Sequence, residues 1–347
     1  MAKKKVAKKK VTKKKVAKKV IKKTTKKVAK KKAAPKKAAV KTVAAKAVGN
    51  KVSINDDQLF DSLLELIRVT STVIPDDIQK VVLEALEREE KNTSAEYAMG
   101  IIKANIEMAK KKSQPICQDT GTILFFVDHP IGFNQGHFRS ICEKAVVKAT
   151  ELGYLRQNSV DTLTGENKTL NIGPGHPSIH FHENNAEAVS IKLMLKGGGC
   201  ENVRAQYAMP HTALEAGRDL DGVRKVILDA IHKAQGKGCG PGVLGVCIGG
   251  DRGAGYIESK EQLLRRLDDK NTHGDLATLE ADIVETANKL GIGPMGFGGK
   301  TTLLGCKIGT LNRLPASYFV SISYMCWAYR RQGVKLKLSG KIKDWLY

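Results

Sequence analysis

Twenty-two lysines, and no aspartate, glutamate or arginine, occupy the first 50 of the chain's 347 residues. That block decides where a fold can be built. The formal net charge is +24 for the whole chain but only +2 for residues 51–347. The repeat Lys-Lys-Lys-Val-Ala, a lone Pro35 and the lack of aromatic groups leave residues 1–50 with little to offset the entropy of ordering. A disordered basic tail is expected there. Lysines at that density neutralise phosphates and release counterions, so DNA, RNA or another polyanion is the expected partner of residues 1–50. A solubilising appendage is the plainer reading.

The globular part therefore begins near Lys51, as one domain over 51–347. No apolar run approaches the roughly 18–20 residues of a membrane span, so no membrane is expected. Seven cysteines without framework spacing point to a reducing, cytoplasmic compartment. Leu59, Phe60, Leu63, Leu64 and Ile67 recur at helical spacing. A second helix should open at Pro75-Asp76-Asp77, and Thr93 with Glu96 forms a capping box for a third that runs to about Lys112. An apolar strand follows at 122–127, then a helix from about Phe138 to Leu152 with Cys142 on its apolar face. Alternation over Val189–Leu195 reads as a half-buried strand. Further on come a helix at 219–235, a strand at 243–248, helices near 258–268 and 275–290, and strands near 302–308 and 317–325. Without a regular βαβ beat, the pattern predicts an α+β fold in which an N-terminal helical block packs with a mixed β-sheet.

Chemistry concentrates where the third helix gives way to a strand, in Gln114-Pro115-Ile116-Cys117-Gln118-Asp119-Thr120-Gly121. A thiol, an amide, a carboxylate and a hydroxyl stand in succession there, closed by a glycine. Other glycine-rich stretches also fall at predicted strand ends: 197–199, 238–242, 249–250 and 291–301. None fits a nucleotide fingerprint, because Pro294 stands where a Walker A loop needs glycine. Backbone approaching a ligand closely is the functional reading of such loops, and ordinary turns are the alternative. Cys142, Cys247 and Cys306 sit inside apolar periodicity and are read as core. Cys117, Cys239 and Cys326 each end an element beside Gly or Trp. Three such thiolates could hold one iron–sulfur cluster and leave one iron open as a Lewis acid, with Cys200 a rival ligand. Buried thiols are the other reading. His180 and His182 share a face and could suit zinc, or could be structural.

Five stretches occur in one order: Cys117-Gln118-Asp119-Thr120-Gly121; Lys196-Gly-Gly-Gly199; Cys239-Gly-Pro with Gly249-Gly250; Gly296-Phe-Gly298-Gly299-Lys300; and Cys326-Trp-Ala-Tyr-Arg330. That order, across about residues 53–332, resembles the iron–sulfur hydro-lyases, namely class I fumarate hydratase and the alpha subunit of tartrate dehydratase. The tail resembles those of histone H1-like proteins. The hydro-lyase resemblance implies a [4Fe-4S] cluster on Cys117, Cys239 and Cys326. Position 200 is usually serine in the matching motif, which lowers Cys200 as a ligand. It further implies Asp119 as the catalytic group for the hydroxyl proton, and Gln118, Asp119, Arg156, Gly198, Gly199 and Lys300 around a dicarboxylate such as fumarate or malate. The base for the carbon-bound proton is expected on a beta subunit or C-terminal-type domain, since the chain ends at Tyr347. Two departures bear on substrate: Glu166–Gly173 matches the family's Asn-Thr-Gly-x-Asn poorly, and Leu314 replaces a frequent histidine. A tartrate-type dehydratase, or a nucleic-acid-binding protein on a retired enzyme scaffold, are the alternatives.

Overall fold

The computed structural model describes residues 54–337 and 339–347. The expected disorder and polyanion binding of residues 1–50 lie outside the described residues. Three helices lead: α1 (Asp56–Thr72), α2 (Asp76–Arg88) and α3 (Ser94–Lys112). Their starts follow the sequence signals. Asn55 accepts the Gln58 N–H at 3.0 Å, and Thr93 accepts that of Glu96 at 3.2 Å. The Glu96 carboxylate returns to Asn92 N–H at 2.7 Å, one residue earlier than a standard capping box would have it.

After β1 (Thr122–Pro130) and α4 (Gln135–Glu151) come β2 (Ser178–Asn184), β3 (Ser190–Lys196), the single turn α5 (Gly198–Asn202) and β4 (Ala205–Ala208). The chain continues through α6 (Leu220–Ala234), β5 (Gly242–Gly249), α7 (Arg252–Gln262), α8 (Gly274–Asn288), β6 (Leu303–Leu311), β7 (Phe319–Met325), β8 (Arg331–Leu336) and β9 (Ile342–Trp345). The fold is α+β as expected, with two mixed sheets in place of one, ordered β2-β1-β3-β8-β9 and β4-β7-β5-β6. Each contains one parallel pair, β1 with β2 and β5 with β6. Among the described residues no helix is long and apolar enough to cross a membrane.

β1 is buried on both faces, and its alternation serves two cores. Ile123, Phe125 and Val127 pack with α1 and α4, while Leu124 and Phe126 join the larger core shared by α2, α3, α6, α8 and the second sheet. The loop feeding β1 therefore sits where the two cores meet. The helix expected near 258–268 begins earlier, because Asp251 caps the N–H groups of Gly253 and Ala254 at 2.7 and 2.9 Å. That capping outweighs the low helix propensity of Gly253 and Gly255.

Candidate active site

The Cys117–Gly121 loop is seated by its last residue. Gly121 has φ +85°, and a Cβ there would stand 2.8 Å from the backbone of Leu195 and Lys196, so only glycine lets the loop lie against the end of β3. That contact delivers Asp119 to the next turn. Its Oδ1 accepts the Gly121 N–H at 2.9 Å and its Oδ2 the Gly198 N–H at 2.7 Å. From the far end of the chain, Arg330 donates through Nη1 to the Asp119 carbonyl at 2.5 Å. The buried hydroxyl of Thr120 accepts the backbone N–H of Arg156 at 3.1 Å and the amide of Asn158 at 3.0 Å. Arg156 then returns Nη1 to the Gln118 carbonyl at 3.3 Å, with its side chain exposed. Gln118, Asp119, Arg156 and Gly198 are thus brought to one place.

The cysteines arrive there from three directions. Cys239 holds φ +54°, a left-handed conformation that costs a residue with a Cβ about 1–2 kcal/mol. Its neighbours hold it there. A Cβ on Gly238 would stand 2.6 Å from the Tyr324 ring and one on Gly242 2.2 Å, so the loop lies flush on that ring. The Trp327 N–H reaches the Cys239 carbonyl at 3.5 Å, and the Cys326 N–H reaches Cys200 Sγ at 3.3 Å. Burial first, then the nearby Cys200, Cys117 and Asp119, push the Cys239 thiol above its ordinary value. Cys200 and Cys326 share a hydrogen bond that draws the first proton off early and holds the second. Cys200 accordingly falls to about 7, aided by Lys196, and Cys326 rises.

No three His, Cys, Asp or Glu side chains among the described residues converge on a single ion. A cluster makes a different demand, one thiolate per iron around a cube. The chemistry of the donors suits that demand: the thiols of Cys117 and Cys200 lie near Cys239, Cys326 joins Cys200, and the buried Lys196 lies near Cys200 and Cys326. By contrast Cys142, Cys247 and Cys306 are buried inside elements, where desolvation raises their thiols, Cys247 to about 12.

A family model described as fumarate hydratase (fumerase) matches residues 60–335. The chain belongs to that family. Among similar proteins, a provisionally named class I fumarate hydratase of Geobacillus stearothermophilus is 50% identical over 296 residues, 84% of this chain and 57% of that protein. This chain therefore spans little more than half of that relative. A provisionally named L(+)-tartrate dehydratase alpha subunit of Methanocaldococcus jannaschii is 33% identical, covering 82% of this chain and 100% of its own. The L(+)-tartrate dehydratase alpha subunit of Escherichia coli K12 is 30% identical, covering 80% and 91%.

Within this fumerase chain other positions stand apart from the loop. Lys300 donates its N–H to Glu89 at 2.8 Å, as does Thr301, so the glycine-rich 291–301 loop wraps the protein's own carboxylate. Its ammonium pairs with Glu90 at 3.2 Å. The same loop braces the Cys239 turn through Met295 N–H on the Gly240 carbonyl at 2.9 Å. His180 stacks on Phe126 at 4.8 Å, while His182 stands 3.5 Å from both Asp128 and Glu261. An open groove of about 1090 Å³ along α3, lined by Tyr97, Ile101 and Phe297, holds none of the site residues. Two residues at the site were quoted in motifs but given no role from sequence, Arg330 and Lys196. Arg330 is 1% exposed and Lys196 0%. A charged side chain beside a glycine run or an aromatic carries no local mark of burial.

Proposed function

We propose that this chain is the alpha-type part of a [4Fe-4S]-dependent hydro-lyase that interconverts fumarate and (S)-malate together with a beta-type partner. What supports this reading is that Cys239 lies near Cys117, Cys200 and Asp119, that Cys326 joins Cys200, and that Arg156 is tied to the same loop. When bound, a cluster with one iron free of protein ligands would supply a Lewis acid beside Asp119.

The chain's own residues account for the rest. Arg156 presents a planar, exposed fork suited to two carboxylate oxygens, and its anchoring to Gln118 and Thr120 fixes its direction. Asp119 is oriented by two backbone N–H donors, which leaves its remaining lone pairs to accept the proton of a substrate hydroxyl. Gly198 and Gly199 offer backbone with no side chain to exclude a dicarboxylate. The base for the carbon-bound proton is assigned to the partner chain. Fumarate is favoured over tartrate because the 50% identical relative carries the fumarate hydratase name and those at 33% and 30% the tartrate one.

Anaerobic reconstitution of the full chain should give about four iron per chain, and Cys117→Ala, Cys239→Ala and Cys326→Ala should each abolish it. Unchanged iron in the triple variant would sink the cluster. Co-expression with a beta-type partner, followed by a screen of fumarate, malate and tartrate, then decides the substrate.

A further inference from the structure

Lys196 ends β3 immediately before the glycine run and is fully buried. Its Nζ has no hydrogen-bond partner among the described residues. Glu201 is the nearest carboxylate, with Oε2 at 3.6 Å, beyond hydrogen-bond reach. The other oxygen of Glu201 is held by Lys260 at 2.8 Å, so that carboxylate is shared between two cations. The remaining neighbours that Lys196 feels electrostatically are the thiols of Cys200 and Cys326. A buried ammonium without an acceptor is strongly disfavoured, and natural interiors rarely keep one without a use. The position is also fixed. The Cys117–Gly121 loop presses on the backbone of Lys196 through Gly121, and β1 pairs with this residue at Thr122. Beside Cys200 and Cys326 there is therefore a buried cation with a shared carboxylate at ion-pair distance and hydrogen-bond donors still unused.

We propose that Lys196 is the built-in electrostatic partner of the cluster, a buried cation near Cys200 and Cys326 that would retain the anionic group and raise its reduction potential. This rests on the cluster reading above. Asp119 and the exposed Arg156 would act on substrate, whereas the buried Lys196, near Cys200 and Cys326, would act on the group the cysteines hold. A cation close to a cluster favours the more negative, reduced state. Removing that cation moves the potential down and loosens the cluster. The protein without its cluster should not lose stability, because a poorly solvated charge leaves the interior while Glu201 keeps Lys260.

The test compares the wild-type full chain with Lys196→Met, which matches the stem without the charge, and Lys196→Arg, which keeps a charge. Three quantities are read: thermal unfolding before iron is added, cluster lifetime against a chelator after anaerobic loading with iron and sulfide, and the midpoint potential from a spectroscopic redox titration. Lys196→Met is expected to unfold at or above the wild-type temperature when unloaded. Loaded, it should release its cluster about tenfold faster, with a tenfold shift in the one-electron equilibrium, about 59 mV in the negative direction. Lys196→Arg should recover most of the potential. A Lys196→Met chain with wild-type potential and lifetime overturns the inference, as does one whose unloaded form is strongly destabilised while Lys196→Arg fails to restore the potential. A wild type that loads no iron overturns the cluster reading itself, a result distinct from a normally loaded wild type beside an indifferent Lys196→Met variant.

Discussion

Replacing Gly121 by alanine should damage both stability and turnover, and the size of each effect follows from the loop geometry. At φ +85° any residue with a Cβ loses about 1–2 kcal/mol. The added carbon would also stand 2.8 Å from Leu195 C and Lys196 N and 2.9 Å from Lys196 C, all backbone of a strand paired on both sides. Those atoms cannot swing away as a side chain would. Relief must come from the loop lifting off β3, which stretches the 2.7 Å bond from Gly198 N–H to Asp119. A hydrogen bond to a charged group is worth about 1.5–3 kcal/mol. Together the two losses amount to about 2.5–5 kcal/mol, read as a lower urea midpoint for the full chain. In the partnered enzyme kcat/KM should fall about 100-fold or more, the usual consequence of shifting a catalytic group by a fraction of an ångström to an ångström. Gly198→Ala is the control. Its Cβ would meet only Asp119 Oδ2, at an ordinary 3.7 Å, so stability should hold while KM rises if substrate lies on that backbone. A wild-type urea midpoint for Gly121→Ala, or a large stability loss for Gly198→Ala, would refute the account of how the loop is seated.

Three other expectations follow from neighbouring geometry. Asp119→Asn should keep iron content and lose turnover; retained activity, measured as fumarate absorbance, would remove its role in proton handling. Asp77 pairs with the buried Arg331 at 2.5 Å and accepts the Leu267 N–H at 2.8 Å. Asp77→Ala should therefore cost about 3–5 kcal/mol by stranding a buried guanidinium, and Arg331→Met in the same chain should recover part of it; a loss under 1 kcal/mol would contradict the pairing. Burial alone would raise the Asp269 carboxyl, but hydrogen bonds from Arg265 and Lys307 outweigh it and hold the group below its ordinary value. A depressed folded value means a contribution that is complete above the unfolded value, about pH 4, and lost as pH falls through the folded one. Asp269→Asn should flatten the acid side of the stability curve, and an unchanged acid limb would count against the linkage.

How far the sequence could be read depends on the distance at which each decision is made. Thr93 and Glu96 mark α3 because a cap is settled within four residues. Cys142, Cys247 and Cys306 separate from the other cysteines because helical or strand periodicity already states their burial. The place of the Cys117–Gly121 loop between α3 and β1 was legible too, since a glycine closing a helix-to-strand turn is a local demand. β8 was not. It opens with Arg331 and Gln332, polar residues that hydropathy assigns to a loop, and both are buried. Asp77, 254 positions away, makes Arg331 admissible in a strand. Arg330 faces the opposite way, toward the Asp119 carbonyl, so two adjacent arginines serve different ends, one closing the core and one holding the site. Lys196 goes a step further. For Arg331 the missing partner is another residue of the chain, and the structure supplies it. For Lys196 the protein offers only a shared carboxylate at 3.6 Å and two thiols. A buried ammonium whose hydrogen-bond donors go unused among the described residues is a demand addressed to a ligand. The proposed cluster would answer it, because Lys196 lies near Cys200 and Cys326, and Cys239 near Cys117, Cys200 and the oriented Asp119 carboxylate.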